Sequence, residues 1–184
     1  LTDTQDELER MRVIFDSYLQ LSRIEAAGDG QLTARVDLEA LTAELVETFT
    51  LIAEDEGQSL SFDVGDGQDY GILGDGQMLQ QMVVNLLQNA VTHGPEGNAI
   101  TVALSRSDGH VRLRVADRGA GIPPEARERV FEPFHRLDPS RSKPGSGLGL
   151  ALVRAIVEKH NGTVALKDNH PGLIVDVTLP ALAR

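Results

Sequence analysis

The most distinctive pattern of hydrophobic and polar positions along the chain lies in residues 77–93. Apolar residues cover most of the circumference of a helix drawn through this stretch at about 100° per residue, which is typical of a buried helix. A narrow polar stripe interrupts them, formed by Gln81, Asn85, Asn89 and Thr92. A buried amide without a hydrogen-bond partner costs about 1–3 kcal/mol. The two asparagines should therefore either bond to neighbouring backbone or face a polar site, and their pattern leaves both interpretations open.

A second apolar stripe predicts a helix over residues 4–27. Leu8, Met11 and Phe15 recur at three- and four-residue spacing, and the stripe is too broad for one lone helix to bury. The sequence leaves open whether the core of this chain, another copy or a preceding helix covers it. Residues 28–30, which contain two glycines, end the helix and form the only predicted linker.

Two further helices and a set of short strands follow from similar patterns. The helices are predicted over residues 37–56 and 148–160, and Asp37 and Asp75 are the expected N-caps of the helices that follow them. Alternating apolar residues predict strands over residues 59–64, 70–73, 100–104, 111–115, 163–167 and 173–179. The order of these elements indicates an α/β (α+β) two-layer sandwich, with an antiparallel-rich sheet covered on one face by helices.

Composition limits the possible classes of function. The length of 184 residues suits one domain plus an appendage, and 41% hydrophobic residues can form a core. The chain has no cysteine, which excludes disulfides and cysteine metal ligands. No apolar run approaches the ~18 residues of a membrane span. A formal net charge of −11 disfavours general nucleic-acid binding, although one anionic ligand could still bind where backbone amides are arranged for it.

Asp117 is a candidate ligand-binding residue at the end of a predicted strand. Gly119 and Gly121 follow it, and their bare backbone lets a flat ligand approach closely. A carboxylate in that place suits an exocyclic amine such as that of adenine. The alternative is an ordinary turn after a strand, because this aspartate–glycine pattern is common in turns.

A long polar stretch, residues 135–144, precedes a second glycine-rich segment. It contains Arg136, Arg141 and Lys143, and it is expected to be either a mobile lid whose cations meet phosphates or a solvated loop. Residues 145–149 then open a helix with three glycines, whose free amides favour an anion. The segment is neither a Walker loop nor a dinucleotide fingerprint, because the required lysine and the preceding strand are absent.

Taken together, four segments resemble, in order and spacing, the nucleotide-binding boxes of sensor histidine kinases. The N box, first glycine box, F box and second glycine box are matched by residues 85–90, 117–121, 131–134 and 145–162. The resemblance covers residues 37–179. Residues 18–27 also resemble the end of the second helix of the dimerisation and phosphotransfer domain. The resemblance implies a partial dimerisation domain over residues 1–28 and a catalytic domain over residues 33–184, with the ATP-binding fold shared by gyrase and heat-shock chaperones.

By this resemblance the expected cofactors are ATP and Mg²⁺. Asn89 would ligate the metal with Asn85 assisting, and these two residues and Lys143 would be catalytic. Asp117 would accept a hydrogen bond from the adenine amine, and Ile122 would pack on the base. The other expected nucleotide contacts are Thr92, His93, Gly119, Gly121, Phe134, Gly145, Ser146, Gly147, Leu148 and Gly149.

The implied activity is transfer of the γ-phosphoryl group of ATP to a histidine on an upstream helix, for relay to a response regulator. The implied partners are a second copy, bound through the N-terminal helix, and a receiver domain, but no nucleic acid. The implied location is the cytoplasmic part of an inner-membrane sensor, with membrane contact only through segments outside this chain. Two other functions stay open: an ATP-binding interaction module without kinase output, and an ATPase that uses water as acceptor.

The chain departs from the family pattern in two respects. Thr92 stands where related kinases commonly have Lys or Arg, and no histidine precedes His93. His93 is interpreted as a residue that lines the pocket. Most of the five histidines are interpreted as surface residues; the other four are His110, His135, His160 and His170.

Overall fold

A five-stranded sheet forms one layer of the fold. The computed structural model describes residues 2–26, 32, 34–65, 68–137 and 146–183. The strands are β2 (Ser59–Val64), β4 (Ala99–Ser107), β5 (His110–Ala116), β6 (Thr163–Asp168) and β7 (Leu173–Pro180). They lie in the order β2-β4-β5-β7-β6, and only β2 and β4 are parallel. The predicted antiparallel-rich sheet is therefore confirmed.

Four helices form the other layer and its extension. They are α1 (Thr2–Ala26), α2 (Leu38–Asp55), α3 (Gly76–His93) and α4 (Gly149–Lys159). The side chains of Asp37 and Asp75 accept hydrogen bonds from the first amides of α2 and α3, as the sequence predicted. Helix α3 packs against both α2 and α4. Seven of its apolar residues are buried and Met78 and Val84 are partly buried, which confirms the prediction of a buried central helix.

A small second sheet was not predicted. Strands β1 (Arg35–Asp37) and β3 (Gly71–Leu73) pair in antiparallel orientation beside the main sheet. Only β3 was expected, because the three residues of β1 are too few for an alternating pattern. Two short 3₁₀ helices, Pro124–Ala126 and Arg129–Phe131, lie between β5 and α4.

Among the side chains of helix α1 whose burial is described, the buried ones lie near its C-terminal end. Leu21 and Ile24 are buried in the common core, and the end of α1 packs against α4. Leu8, Met11 and Phe15 are instead 61–62% exposed. The core of this chain therefore covers one part of the stripe and leaves the rest open.

Three predicted segments fall wholly or partly outside the described residues. They are the linker at residues 28–30, part of the turn at 65–67 and most of the lid at 135–144. Within the described part of the chain, no helix is long and apolar enough to cross a membrane.

Candidate functional site

The polar stripe of α3 faces the start of α4. A Cβ atom added to Gly149 would lie 3.5 Å from the amide atoms of Asn89 and 3.8 Å from Oδ1 of Asn85. Both asparagines are half-buried, and Nδ2 of Asn85 is buried without a hydrogen-bond partner among the described residues. The sequence left open whether the asparagines bond to neighbouring backbone or face a polar site. The first of these interpretations fails for the Asn85 amide nitrogen.

The beginning of α4 is open to a ligand. Its N-cap residue, Leu148, has no polar atom with which to cap the helix, and Gly149 has no side chain. The Leu148 amide is bonded to the hydroxyl of Ser146 at 3.2 Å, which orders the residues just before the helix. Free amides and the positive end of the helix dipole favour an anion beside Asn85 and Asn89.

The other end of the stripe adjoins Asp117. The Thr92 hydroxyl accepts a hydrogen bond from Nε2 of Gln88 at 3.0 Å, within α3 itself. A Cβ atom at Gly119 would lie 3.0 Å from the carbonyl oxygen of His93, so the helix end and the glycine loop are in close contact. The structure thus brings Thr92 and His93 to the Asp117 side of the cleft.

The Asp117 carboxylate is buried and firmly oriented. Its Oδ1 accepts hydrogen bonds from the amides of Gly119, at 2.7 Å, and Leu173, at 3.3 Å. Burial raises the pKa of Asp117, and this effect outweighs the two amide bonds and the nearby His93, which lower it. A buried carboxylate held in this way can accept a hydrogen bond from a donor on a ligand.

The glycines that follow Asp117 are needed for close packing. Gly121 has φ +70°, and a Cβ atom there would lie 2.9 Å from the carbonyl oxygen of Gly172. At Gly119, a Cβ atom would lie 3.0 Å from the Asp117 carboxylate. Ile122 comes next and is partly buried against the core. The loop therefore presents bare backbone and one apolar side chain beside the carboxylate.

A hydrogen bond closes the two ends of the predicted lid. The Phe134 amide donates to the carbonyl oxygen of Gly147 at 3.0 Å. Gly147 has φ +70°, and a Cβ atom there would lie 2.8 Å from the carbonyl carbon of Phe134. The Phe134 ring is half exposed and stacks on Tyr18 of α1, with a centroid distance of 5.9 Å. Lys143 and Gly145, two predicted site residues, lie outside the described residues.

Several residues that shape the site were not predicted. Gln58 and Asn98 are buried polar residues that bond to each other, and Asn98 also bonds to the loop after Asp117. Asn169 and Gly172, in the turn before β7, pack behind Asp117. Isolated polar residues in turns produce no periodic signal in a sequence. They are unusual only because they are buried, and burial cannot be read from the sequence.

His160 is an exception to the interpretation of most histidines as surface residues. The imidazole is buried, its Nδ1 donates to the Ile156 carbonyl at 2.7 Å, and its Nε2 accepts from the Asp75 amide at 3.0 Å. Burial is the main cause that lowers the pKa of His160. This histidine joins the end of α4 to the start of α3, a tertiary contact that its position at a predicted helix end did not reveal.

The donor set suits Mg²⁺ better than a softer metal. Among the described residues there is no group of three or more His, Cys, Asp and Glu side chains that could hold a metal ion. Asn85 and Asn89 offer neutral amide oxygens beside an anion-favouring helix start. Mg²⁺ takes oxygen ligands and retains several waters, so these two oxygens together with ligand phosphates fit it.

The chain is similar in sequence to a known protein family and to known proteins. A family model described as histidine kinase-, DNA gyrase B-, and HSP90-like ATPase matches residues 74–183. The sensor-like histidine kinase SenX3 of Mycolicibacterium smegmatis is 33% identical over 162 residues. That match covers 87% of this chain and 42% of SenX3, so the chain spans less than half of that relative.

Solved structures give the same result. The mycobacterial sensor histidine kinase MprB superposes with a TM-score of 0.73 at 32% identity, covering 82% of this chain and 100% of the MprB chain. Full-length ShkA in complex with AMPPNP superposes with a TM-score of 0.85 at 28% identity. The ShkA match covers 100% of this chain and 39% of the ShkA chain.

Proposed function

Because the chain belongs to the histidine kinase-, DNA gyrase B-, and HSP90-like ATPase family, and within it to the sensor histidine kinases, we propose that it binds ATP with Mg²⁺ and phosphorylates a histidine on a separate helix. The family resemblance seen in the four motifs and the predicted fold class are thereby confirmed. From the histidine, the phosphoryl group would pass to an aspartate of a response regulator.

The observation that carries the proposal is the unsatisfied side-chain amide of Asn85, which lies on α3 and faces the start of α4. A buried donor without a partner is costly, and a bound ligand that accepts from Nδ2 of Asn85 removes that cost. Phosphates at the first turn of α4 would meet free amides, while the side-chain oxygens of Asn85 and Asn89 would hold Mg²⁺. When bound, the ion neutralises charge that develops on the phosphates during transfer.

The base end of the nucleotide fits the Asp117 side of the cleft. The buried carboxylate would accept a hydrogen bond from the adenine amine, which carries no charge of its own. Gly119 and Gly121 would let the base approach the backbone, and Ile122 would pack on its face. The chain's contribution to transfer is then to position the nucleotide and to stabilise charge, which is the main requirement of phosphoryl transfer.

The wider setting follows from the family. We assign residues 1–28 to the second helix of a dimerisation domain and residues 33–184 to the catalytic domain. A second copy would bind through α1, and a receiver domain would be the downstream partner. The full protein would be a membrane sensor with this part in the cytoplasm.

Calorimetric titration of Mg-ATP tests the proposal. Asn89→Ala should lower the affinity at least tenfold, because it removes an amide oxygen from the stripe. Gln80→Ala is the matched control, since Gln80 lies on the same helix and is exposed. Thermal unfolding should show that both variants are folded. Wild-type affinity in Asn89→Ala would contradict the assignment of the site.

A further inference from the structure

We propose that Asn98 is a positioning residue that fixes the peptide after Asp117 and thereby sets the preference of the site for adenine, a role that rests on the proposed nucleotide-binding function. Asn98 lies in the turn before β4 and is only 1% exposed. It belongs to none of the four sequence motifs.

The Asn98 side chain joins three segments that are distant in sequence. Its Oδ1 accepts from the amide of Arg118 at 2.8 Å. Its Nδ2 donates to the side-chain oxygen of Gln58 at 3.1 Å and lies 3.3 Å from the carbonyl oxygen of Ala90. Every polar atom of the side chain is therefore used, and each points to a different part of the fold.

The peptide group between Asp117 and Arg118 is held from both ends. Its N–H donates to Asn98, and its carbonyl oxygen accepts from Nδ2 of Asn169 at 2.6 Å. Rotation of this peptide would break one bond or the other. Because the peptide is attached directly to the Cα atom of Asp117, the two asparagines fix the direction in which the carboxylate points.

Gln58 fixes the orientation of Asn98 in turn. It is buried, and its Nε2 donates to the carbonyl oxygen of Val91 at 2.9 Å, so its own oxygen is turned toward Asn98. Gly94 leaves the necessary room, since a Cβ atom there would lie 2.1 Å from Nδ2 of Asn98. If the side-chain amide of Asn98 were flipped, its oxygen would face the oxygen of Gln58 and its nitrogen would face the amide of Arg118. The hydrogen bonds to Gln58 and from Arg118 would then both be lost.

This arrangement also links the two ends of the ligand. Ala90, which Asn98 contacts, directly follows Asn89 on α3. Asn98 therefore sets the distance between the helix that would hold the phosphates and the loop that would hold the base. Displacement of a binding group by about 1 Å is enough to cost much of its effect.

The experiment compares Mg-ADP with Mg-IDP by calorimetric titration. The 6-oxo group of IDP is an acceptor where ADP has a donor, so the wild type should prefer ADP by roughly tenfold or more. Asn98→Ala should lower ADP affinity by about the same factor and IDP affinity by less than about threefold. The preference for ADP should then largely disappear.

Tyr70→Phe is the control for a loss of stability alone. The Tyr70 hydroxyl is buried and bonds to the carbonyl oxygens of Gly65 and Leu104, away from the cleft. This variant should melt at a lower temperature and keep the wild-type preference. If Asn98→Ala does not fold, Gln58→Ala replaces it, and its preference should fall by about threefold because Asn98 loses its anchor.

The outcomes separate the two claims. A wild type that binds neither nucleotide overturns the proposed function. A wild type that prefers ADP, together with an Asn98→Ala variant that keeps the preference or loses both nucleotides equally, overturns only the positioning role. If Gln58→Ala is used instead, an unchanged preference for ADP in the folded variant also overturns only the positioning role.

Discussion

At the scale of single residues, Asp117 combines a cost in stability with the binding role proposed for it. Its pKa is raised in the folded state, so between the unfolded and folded pKa the native protein binds more protons and stability falls as pH rises. At neutral pH, therefore, the buried carboxylate of Asp117 lowers the free energy of unfolding. A neutral side chain of the same shape avoids the loss and can still accept from the Gly119 amide.

Asp117→Asn should therefore separate stability from binding. We expect its urea unfolding midpoint at pH 7 to equal or exceed that of the wild type. Its affinity for Mg-ATP should fall about tenfold or more, because an amide is a weaker acceptor for the adenine amine than a carboxylate. Chemical denaturation and titration of the same sample measure both quantities. A clear loss of stability with unchanged affinity would contradict this account of the residue.

His160 should make the fold sensitive to mild acid. Its pKa is lowered mainly by burial, against the opposing effects of the Ile156 carbonyl and Asp75, while Lys159 lowers it further. The unfolded state therefore takes up a proton first, and stability is lost as pH falls below about 6.5 toward the folded pKa. Protonation would also remove the acceptor for the Asp75 amide.

The measurement is the urea midpoint at pH 8 and pH 5.5. The wild type should lose more stability between these values than His160→Gln, which has an amide oxygen in place of the ring acceptor. His110→Gln, at an exposed position, should behave like the wild type. Equal losses in all three proteins would show that His160 does not titrate in this range.

The residues proposed to bind the ligand were easier to predict than the residues that support them. Asn85, Asp117 and the glycines form local motifs, and each position needs a particular residue type for a local reason. Asn98 and Asn169 act through hydrogen bonds to segments far away in sequence, so nothing near them along the chain marks their role. These hydrogen bonds form only because the fold brings the segments together.

At the scale of elements, periodicity predicted what was long and regular. Helix α3 is apolar nearly all round, and it is buried between α2 and α4 as that pattern required. Strand β1 has three residues, and its pairing with β3 depends on the path of the chain rather than on its own pattern. The parallel pairing of β2 with β4 was likewise not predicted, because alternation does not specify strand direction.

Helix α1 should drive self-association through its uncovered half. Leu8, Met11 and Phe15 are 61–62% exposed, and exposed apolar stripes on neighbouring turns favour burial against a second copy. Replacing all three with Gln should shift the sedimentation of the protein toward the monomer. Leu51→Gln is the control, because Leu51 is exposed on α2 and outside the stripe. An unchanged association state in the triple variant would exclude α1 as the interface.

At the scale of the whole molecule, four of the five histidines of this chain are poorly suited to accept a phosphoryl group from its own site. The imidazole of His160 is buried with both nitrogens hydrogen-bonded, and Nδ1 of His110 is bonded to the Asp108 carbonyl at 2.8 Å. His93 and His170 lie beside the Asp117 end of the cleft, where the base rather than the γ-phosphate would be.

Incubation of the chain with radiolabelled Mg-ATP should therefore give no acid-labile, base-stable label on the chain itself. Addition of an upstream helix that carries an acceptor histidine should produce such label. Label on the chain alone would mean that one of its own histidines is an acceptor. Steady phosphate release without any label, at rates above about 1 s⁻¹, would favour the water-hydrolysing ATPase instead.

The hydrogen bond between Phe134 and Gly147 sets how the two ends of the enclosed segment lie relative to each other, independently of the number of residues between them. In polymer terms, the bond closes a ring, and the entropy of closure grows only with the logarithm of ring size. For a flexible loop in general, each doubling of length costs roughly 0.6 kcal/mol. The positions of Phe134 and Gly147, and with them the start of α4, are therefore held by this hydrogen bond and by the φ of +70° at Gly147, whatever the number of residues between them.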